Sequence, residues 1–103
     1  MRLVKVGLAS VNSTVGAFDA NVDRALALAG RMAAEGVTVA AYPEQVVGGY
    51  PPEDLVQWMG FVEGQWAALE RFAAGTAHQP CVHVLGVTVA HEGLRLNLSL
   101  IHI

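Results

Sequence analysis

The chain has 103 residues, 53% of them hydrophobic, which is enough to bury a core but leaves room for at most one domain. Charged residues make up only 15% and the formal net charge is -3, so no basic surface is available to a phosphate backbone and nucleic acid is excluded as a partner. The apolar stretches are interrupted by Lys5, Arg24, Arg31 and Glu35 well short of the roughly 20 residues of a membrane span, MRLVKVGLAS has no secretory-signal pattern, and one cysteine, Cys81, allows no internal disulfide; the expectation is a cytoplasmic protein with no membrane partner.

Leu3 to Ala9 is almost continuously apolar, the pattern of a short strand covered on both faces. From Asp19, the expected N-cap, Val22, Leu26, Ala29, Met32 and Ala33 recur at three- and four-residue steps and line one face of a helix. Gly36 can take the left-handed conformation that ends it, and Val37 to Tyr42 then reads as a second strand, parallel to the first across a right-handed crossover. Pro43 to Pro52 carries three prolines and two glycines and must be a loop, placed beyond the carboxyl end of a strand, where parallel sheets bind ligands. Pro52, Glu53 and Asp54 suit the first turn of a short helix reaching about Trp58. Phe61 to Ala77 forms a second long amphipathic helix with Val62, Trp66, Leu69 and Ala73 on its buried face, stopped by His78, Gln79 and Pro80. Val82 to Ala90 is a third strand, His91 to Gly93 a tight turn, and from Leu94 a fourth strand runs antiparallel to the third.

Glu44 stands out on position alone. It follows a strand, lies between Pro43 and the pair Gly48 and Gly49, and is expected to be half-buried, which favours proton transfer. A loop acid that caps the next helix or pairs with an arginine is the competing reading.

The stretch YPEQVVGGYPPEDL, Tyr42 to Leu55, resembles the hallmark of the nitrilase (carbon-nitrogen hydrolase) superfamily: an apolar strand ending in an aromatic residue, Pro and a catalytic Glu, then Gly-Tyr-Pro. LVKVGLAS, Asn12 and the helix opening DANVDRALALA also match, and Tyr42 stands where Phe is commoner. Within the superfamily, GGYPPEDLV and the Trp58- and Phe61-containing segment are most similar to the glutaminase domain of glutamine-dependent NAD synthetases, over about Leu3 to Asn97.

The resemblance implies an α/β fold, the N-terminal portion of an α-β-β-α sandwich with a βαβ start followed by a helix and a β-hairpin. It implies a Glu-Lys-Cys site hydrolysing the amide of glutamine, or of another small amide, with Glu44 as general base and Tyr50 as a substrate contact. The family's lysine and cysteine would fall beyond residue 103. Lys5 comes too early and reads as a sheet-end charge, and Cys81 reads as a small buried thiol.

Residues 1–97 are accordingly expected to be a fragment of the hydrolase domain, inactive alone. The closing LSLIHI resembles an in-frame translation of a transposon end used in library preparation, so Leu98 to Ile103 is expected to be non-native. No cofactor is expected in this chain; ATP and Mg are implied only for a synthetase domain joined at the C-terminus, the expected partner, and a homo-oligomer is expected. A stand-alone nitrilase-type amidase and a non-catalytic truncated βαβ fragment are the alternatives.

Two other readings fail. His83 and His91 share strand parity but stand eight residues apart at about 3.3 Å each, too far to share a metal, and His78 and His102 end their elements. ASVNSTVGAFDAN after the first strand has neither a G-x-G-x-x-G nor a G-K-[ST] motif to cradle phosphate. Trp58, Trp66 and Phe72 at helical spacings read as core or interface and not as a stacking platform.

Overall fold

A computed structural model describes residues 3–103. Four strands form one sheet in the order β1-β2-β3-β4: β1 (Val6–Leu8), β2 (Val39–Ala41), β3 (Val82–His91) and β4 (Leu94–His102). The first three are parallel and the last pair antiparallel. Helix α1 (Phe18–Ala34) connects β1 to β2, and α2 (Met59–Thr76) lies between β2 and β3 after a short 3-10 helix, Glu53–Gln57.

Both helices pack on one face of the sheet, as two right-handed crossovers in the same direction require. The core between them and the sheet contains Val22, Ala25 and Ala29 of α1, Leu69 and Phe72 of α2, and Ala40, Leu85 and Val87 of the strands. Phe72 is wholly enclosed, with Tyr42 and His83 each packed edge-on against its ring. On the outside, Arg71 of α2 reaches Asp23 Oδ1 at 2.8 Å and the Asp19 carbonyl at 2.9 Å, clamping the helices together.

The hairpin follows from its turn. Glu92 and Gly93 have φ of 49° and 78°, the paired positive values whose twist matches antiparallel strands, and they set the register His91↔Leu94 through His83↔His102. Gly36, at φ 76°, ends α1 in the left-handed conformation expected of it.

Several expectations need correction. The first strand is shorter than Leu3 to Ala9 and is not covered on both faces: it forms one edge of the sheet, and Leu8 is 82% exposed. Its apolar run matches a face that no described element covers. Asp19 does not cap α1; it sits in the first turn, where its charge complements the helix dipole, while Ala17 occupies the cap position without a side-chain bond. Trp66 is not on the buried face of α2. That face is Phe61, Gln65, Ala68, Leu69 and Phe72, and Trp66, at 43% exposure, hydrogen-bonds Glu70 on the outer side. Trp58 also lies exposed.

Candidate active site

Glu44 follows the carboxyl end of β2, where the chain leaves the sheet and turns through residues 44–48. The local sequence makes this turn possible at close quarters. Gly86 on β3 passes beneath it, and a Cβ there would meet Glu44 Cα at 2.8 Å and Gln45 N at 2.5 Å. Gly49, at φ 89°, lies against the backbone of Thr14 and Val15, where a Cβ would be 2.5 Å from the Val15 nitrogen. The loop after β2 and the segment after β1 therefore touch backbone to backbone.

Side chains lock that contact. Asn21, fully buried on α1, accepts from Thr14 N at 2.9 Å and donates to the carbonyls of Thr14 at 2.8 Å and Val47 at 2.9 Å. Ser13 Oγ donates to the Val46 carbonyl at 2.9 Å, and Gly16 N to the Gly48 carbonyl at 2.9 Å. From below, Gln65 of α2 accepts from Thr88 N at 3.0 Å, and its carboxamide lies against Gly48. The buried Asn21 amide thus supplies the partners that an enclosed loop backbone needs, whereas Gln65 Nε2 is buried with no described partner.

Glu44 is exposed, not half-buried, although its backbone lies close against Gly86 of β3. Its Oε1 accepts from Asn97 Nδ2 at 2.6 Å, and no described residue donates to Oε2. Glu44 lines three clefts, two of them shared with Tyr50. One, of about 250 Å³, includes Thr88, Arg95 and Asn97; the other, of about 260 Å³, includes Asn12, Ser13 and Pro43. Tyr50 itself is 61% exposed, and the Tyr50–Pro51 peptide is cis. Arg95 anchors the floor by donating to the Val56 carbonyl at 3.0 Å. A larger groove of about 360 Å³ runs between α2 and β3 past Val62 and Trp66, but its acids Glu63 and Glu70 lie away from the strand ends where the loops converge.

The structure thus brings Glu44 and Tyr50 to the same clefts. Lys5 and Cys81 lie at the other end of the sheet: Lys5 precedes β1 and donates to the Glu35 carbonyl at 2.7 Å, and Cys81 precedes β3, buried, with burial pushing its thiol up. Sequence reasoning missed Gln45, Thr88 and Asn97. The turn at Glu92 and Gly93 was a usable signal for two of them, since it pairs Thr88 with Asn97 on one face. It also missed His83, whose Nδ1 lies 3.0 Å from Tyr42 Oη and whose ring stacks on His102 at 6.5 Å. Among the described residues no group of three or more His, Cys, Asp or Glu is arranged to hold a metal.

The fold defines the class: a four-stranded sheet with two helices matching the nitrilase-fold domains of solved enzymes. It superposes on a glutamine-dependent NAD(+) synthetase from Cytophaga hutchinsonii with a TM-score of 0.88 and 23% identity, over 95% of this chain and 17% of that one. An amidase from Nesterenkonia sp. gives a TM-score of 0.80 and 17% identity, over 95% of this chain and 37% of that one. In sequence, the chain is 34% identical over 89 residues to the glutamine-dependent NAD(+) synthetase of Thermotoga maritima and 36% identical over 91 residues to that of Rhodobacter capsulatus. These alignments cover 86% of this chain but only 14% and 16% of the relatives, so it spans a small part of their length. No protein-family model matches the chain. Sequence and fold together are those of a nitrilase-superfamily domain related to the NAD synthetases.

Proposed function

We propose that this chain is the N-terminal portion of a glutamine amide-hydrolysing domain that supplies ammonia for ATP-dependent NAD synthesis from deamido-NAD. In this reading Glu44 is its general base and Tyr50 contacts the substrate. The carrying observation is an exposed carboxylate at a strand end, with one oxygen held by Asn97, lining a cleft shared with Tyr50. The similarity to glutamine-dependent NAD synthetases supports the choice of glutamine.

The chemistry needs a cysteine and a lysine from beyond residue 103. Glu44 takes the thiol proton, and the thiolate attacks the amide carbon, with the lysine facing the oxyanion. Glu44 then returns the proton to the departing ammonia, leaving a thioester. Water, deprotonated by Glu44, cleaves the thioester to glutamate and restores the thiol. The 103-residue chain alone is expected to be inactive. ATP and Mg belong to the synthetase domain joined to this one, and a homo-oligomer in the cytoplasm is the expected state.

The test is glutamine hydrolysis by the full-length protein carrying this segment. Glu44→Gln is expected to lower it by roughly 10²–10⁴-fold, the usual contribution of a positioned base, while NAD formation driven by added ammonia persists. Hydrolysis unaffected by the substitution would sink the reading. The likeness to the Nesterenkonia amidase favours a second reading, a stand-alone amidase. Amide hydrolysis without any ATP-dependent NAD formation would select it.

A further inference from the structure

A line of four side chains ends on Glu44. Thr88 Oγ1 donates to Gln45 Oε1 at 2.8 Å, Gln45 Nε2 donates to Asn97 Oδ1 at 2.7 Å, and Asn97 Nδ2 donates to Glu44 Oε1 at 2.6 Å. Gln45 and Thr88 are 3% and 4% exposed, so their partners are other side chains and not bulk water. Gln45 also holds φ at 53°, a left-handed conformation that a side chain with a Cβ adopts only where its surroundings impose it. That backbone sets the Gln45 amide against Thr88 and Asn97 while Glu44, one residue earlier, is exposed.

The sense of the line is fixed by chemistry. Each amide has one donor end and one acceptor end, so seating one end determines what the other presents. An ionised carboxylate accepts only. If Gln45 were reversed, its oxygen would face Asn97, Asn97 would turn its nitrogen toward Gln45, and two oxygens would confront each other at Glu44. Only the sequence hydroxyl, amide, amide, carboxylate satisfies every member.

We propose that Gln45 is a positioning residue for Glu44, acting through Asn97 to hold Oε1 and leave Oε2 directed to the cleft. Its catalytic meaning rests on the hydrolysis reading above; the positioning itself does not. Gln45 hydrogen-bonds neither oxygen of Glu44, and its effect on Glu44 is carried by the Asn97 amide.

The experiment follows the Asn97 side-chain amide of the 103-residue chain by NMR through an acid titration. In the parent, both Nδ2 proton resonances are expected to move as the Glu44 carboxyl protonates, and Glu44→Gln should abolish the movement. Gln45→Met fills the same space without a donor, and most of the movement should be lost. Thr88→Val, which removes the donor at the far end, guards against a Gln45 variant that fails to fold and should weaken the movement as well. Full movement in the folded Gln45 and Thr88 variants, or none in the parent, overturns the proposal. No turnover is read, so this result stands apart from the Glu44→Gln activity test, whose failure would sink the hydrolysis reading alone.

Discussion

Gly86 lies directly beneath Glu44: a Cβ added to this β3 glycine would sit 2.8 Å from the Glu44 Cα, with Gln45 N closer still at 2.5 Å. The obstruction is backbone, which cannot swing aside as a flexible side chain would. Gly86→Ala is therefore expected to lift the loop and to destabilise the chain by about 1–3 kcal/mol, the range for overpacking a filled site. Urea unfolding of the parent and variant would measure it. Gly60→Ala is the matched control, because a Cβ there meets nothing within 4 Å. Equal losses in the two variants would contradict the close-approach account.

Asn21 is the next test of what holds the site. Its amide satisfies Thr14 N, Thr14 O and Val47 O from a fully buried position, across the junction of the loops that follow β1 and β2. Asn21→Leu matches the volume but strands those backbone groups, each costing about 1–3 kcal/mol if no water replaces the amide. Loss of stability with earlier hydrogen exchange at Thr14 is expected. A variant as stable as the parent would show that the staple contributes nothing.

How far the sequence disclosed this arrangement depends on distance along the chain. The placement of Glu44 and Tyr50 and the His91–Gly93 turn were legible because their signals are local: a strand end, a Gly-Tyr-Pro run, and a short glycine-containing turn between two apolar runs. The line through Gln45 was not, because its bonds join residues 43, 52 and 53 positions apart, and no spacing rule connects a loop amide to a hairpin. The exposure of Glu44 is not legible either: a position just past a strand end implies enclosure, whereas the side chain lies exposed in the folded chain.

Tyr50 tests the substrate side of the proposed site. It lines two of the three clefts that Glu44 lines, and it is exposed enough to meet a ligand. In the full-length protein, Tyr50→Ala is expected to raise KM for glutamine by roughly 5–30-fold, equivalent to about 1–2 kcal/mol of lost contact. The kcat should change less, since the side chain does not take part in proton transfer. A fall in kcat with KM unchanged would move Tyr50 from binding to chemistry.

His83 gives the fold a pH dependence of known sign. Its ring is fully buried against Phe72 of α2, faces Tyr42 of β2 and His102 of β4, and lies 3.2 Å from Gln79 Oε1. Burial, with the neighbouring His102 adding to it, lowers its pKa in the folded chain. The unfolded chain therefore takes up the proton first on acidification, and stability present above about pH 6.5 is lost as pH falls through the folded-state value. The thermal midpoint should drop as the pH falls below about 6.5, and His83→Asn should flatten that drop. Equal pH profiles for parent and variant would assign the acid sensitivity to other groups.

The sheet face opposite the helices carries the last expectation. Strand parity puts Val6, Leu8 and Ile101 on that face, 59%, 82% and 62% exposed, and β1 is also an edge strand with an unpaired ladder. Burying one such side chain contributes roughly 1.5–3 kcal/mol, so a contact covering several of them is enough to drive association at micromolar concentration. The 103-residue chain should accordingly show a weight-average mass that rises with concentration in sedimentation equilibrium. Leu8→Lys places a charge on both the apolar face and the edge, and should shift the distribution toward monomer without loss of helical signal, because Leu8 makes no part of the core. A parent chain that remains monomeric across the accessible range would mean that the exposed face is not sticky enough to matter, and the lysine variant would then be silent.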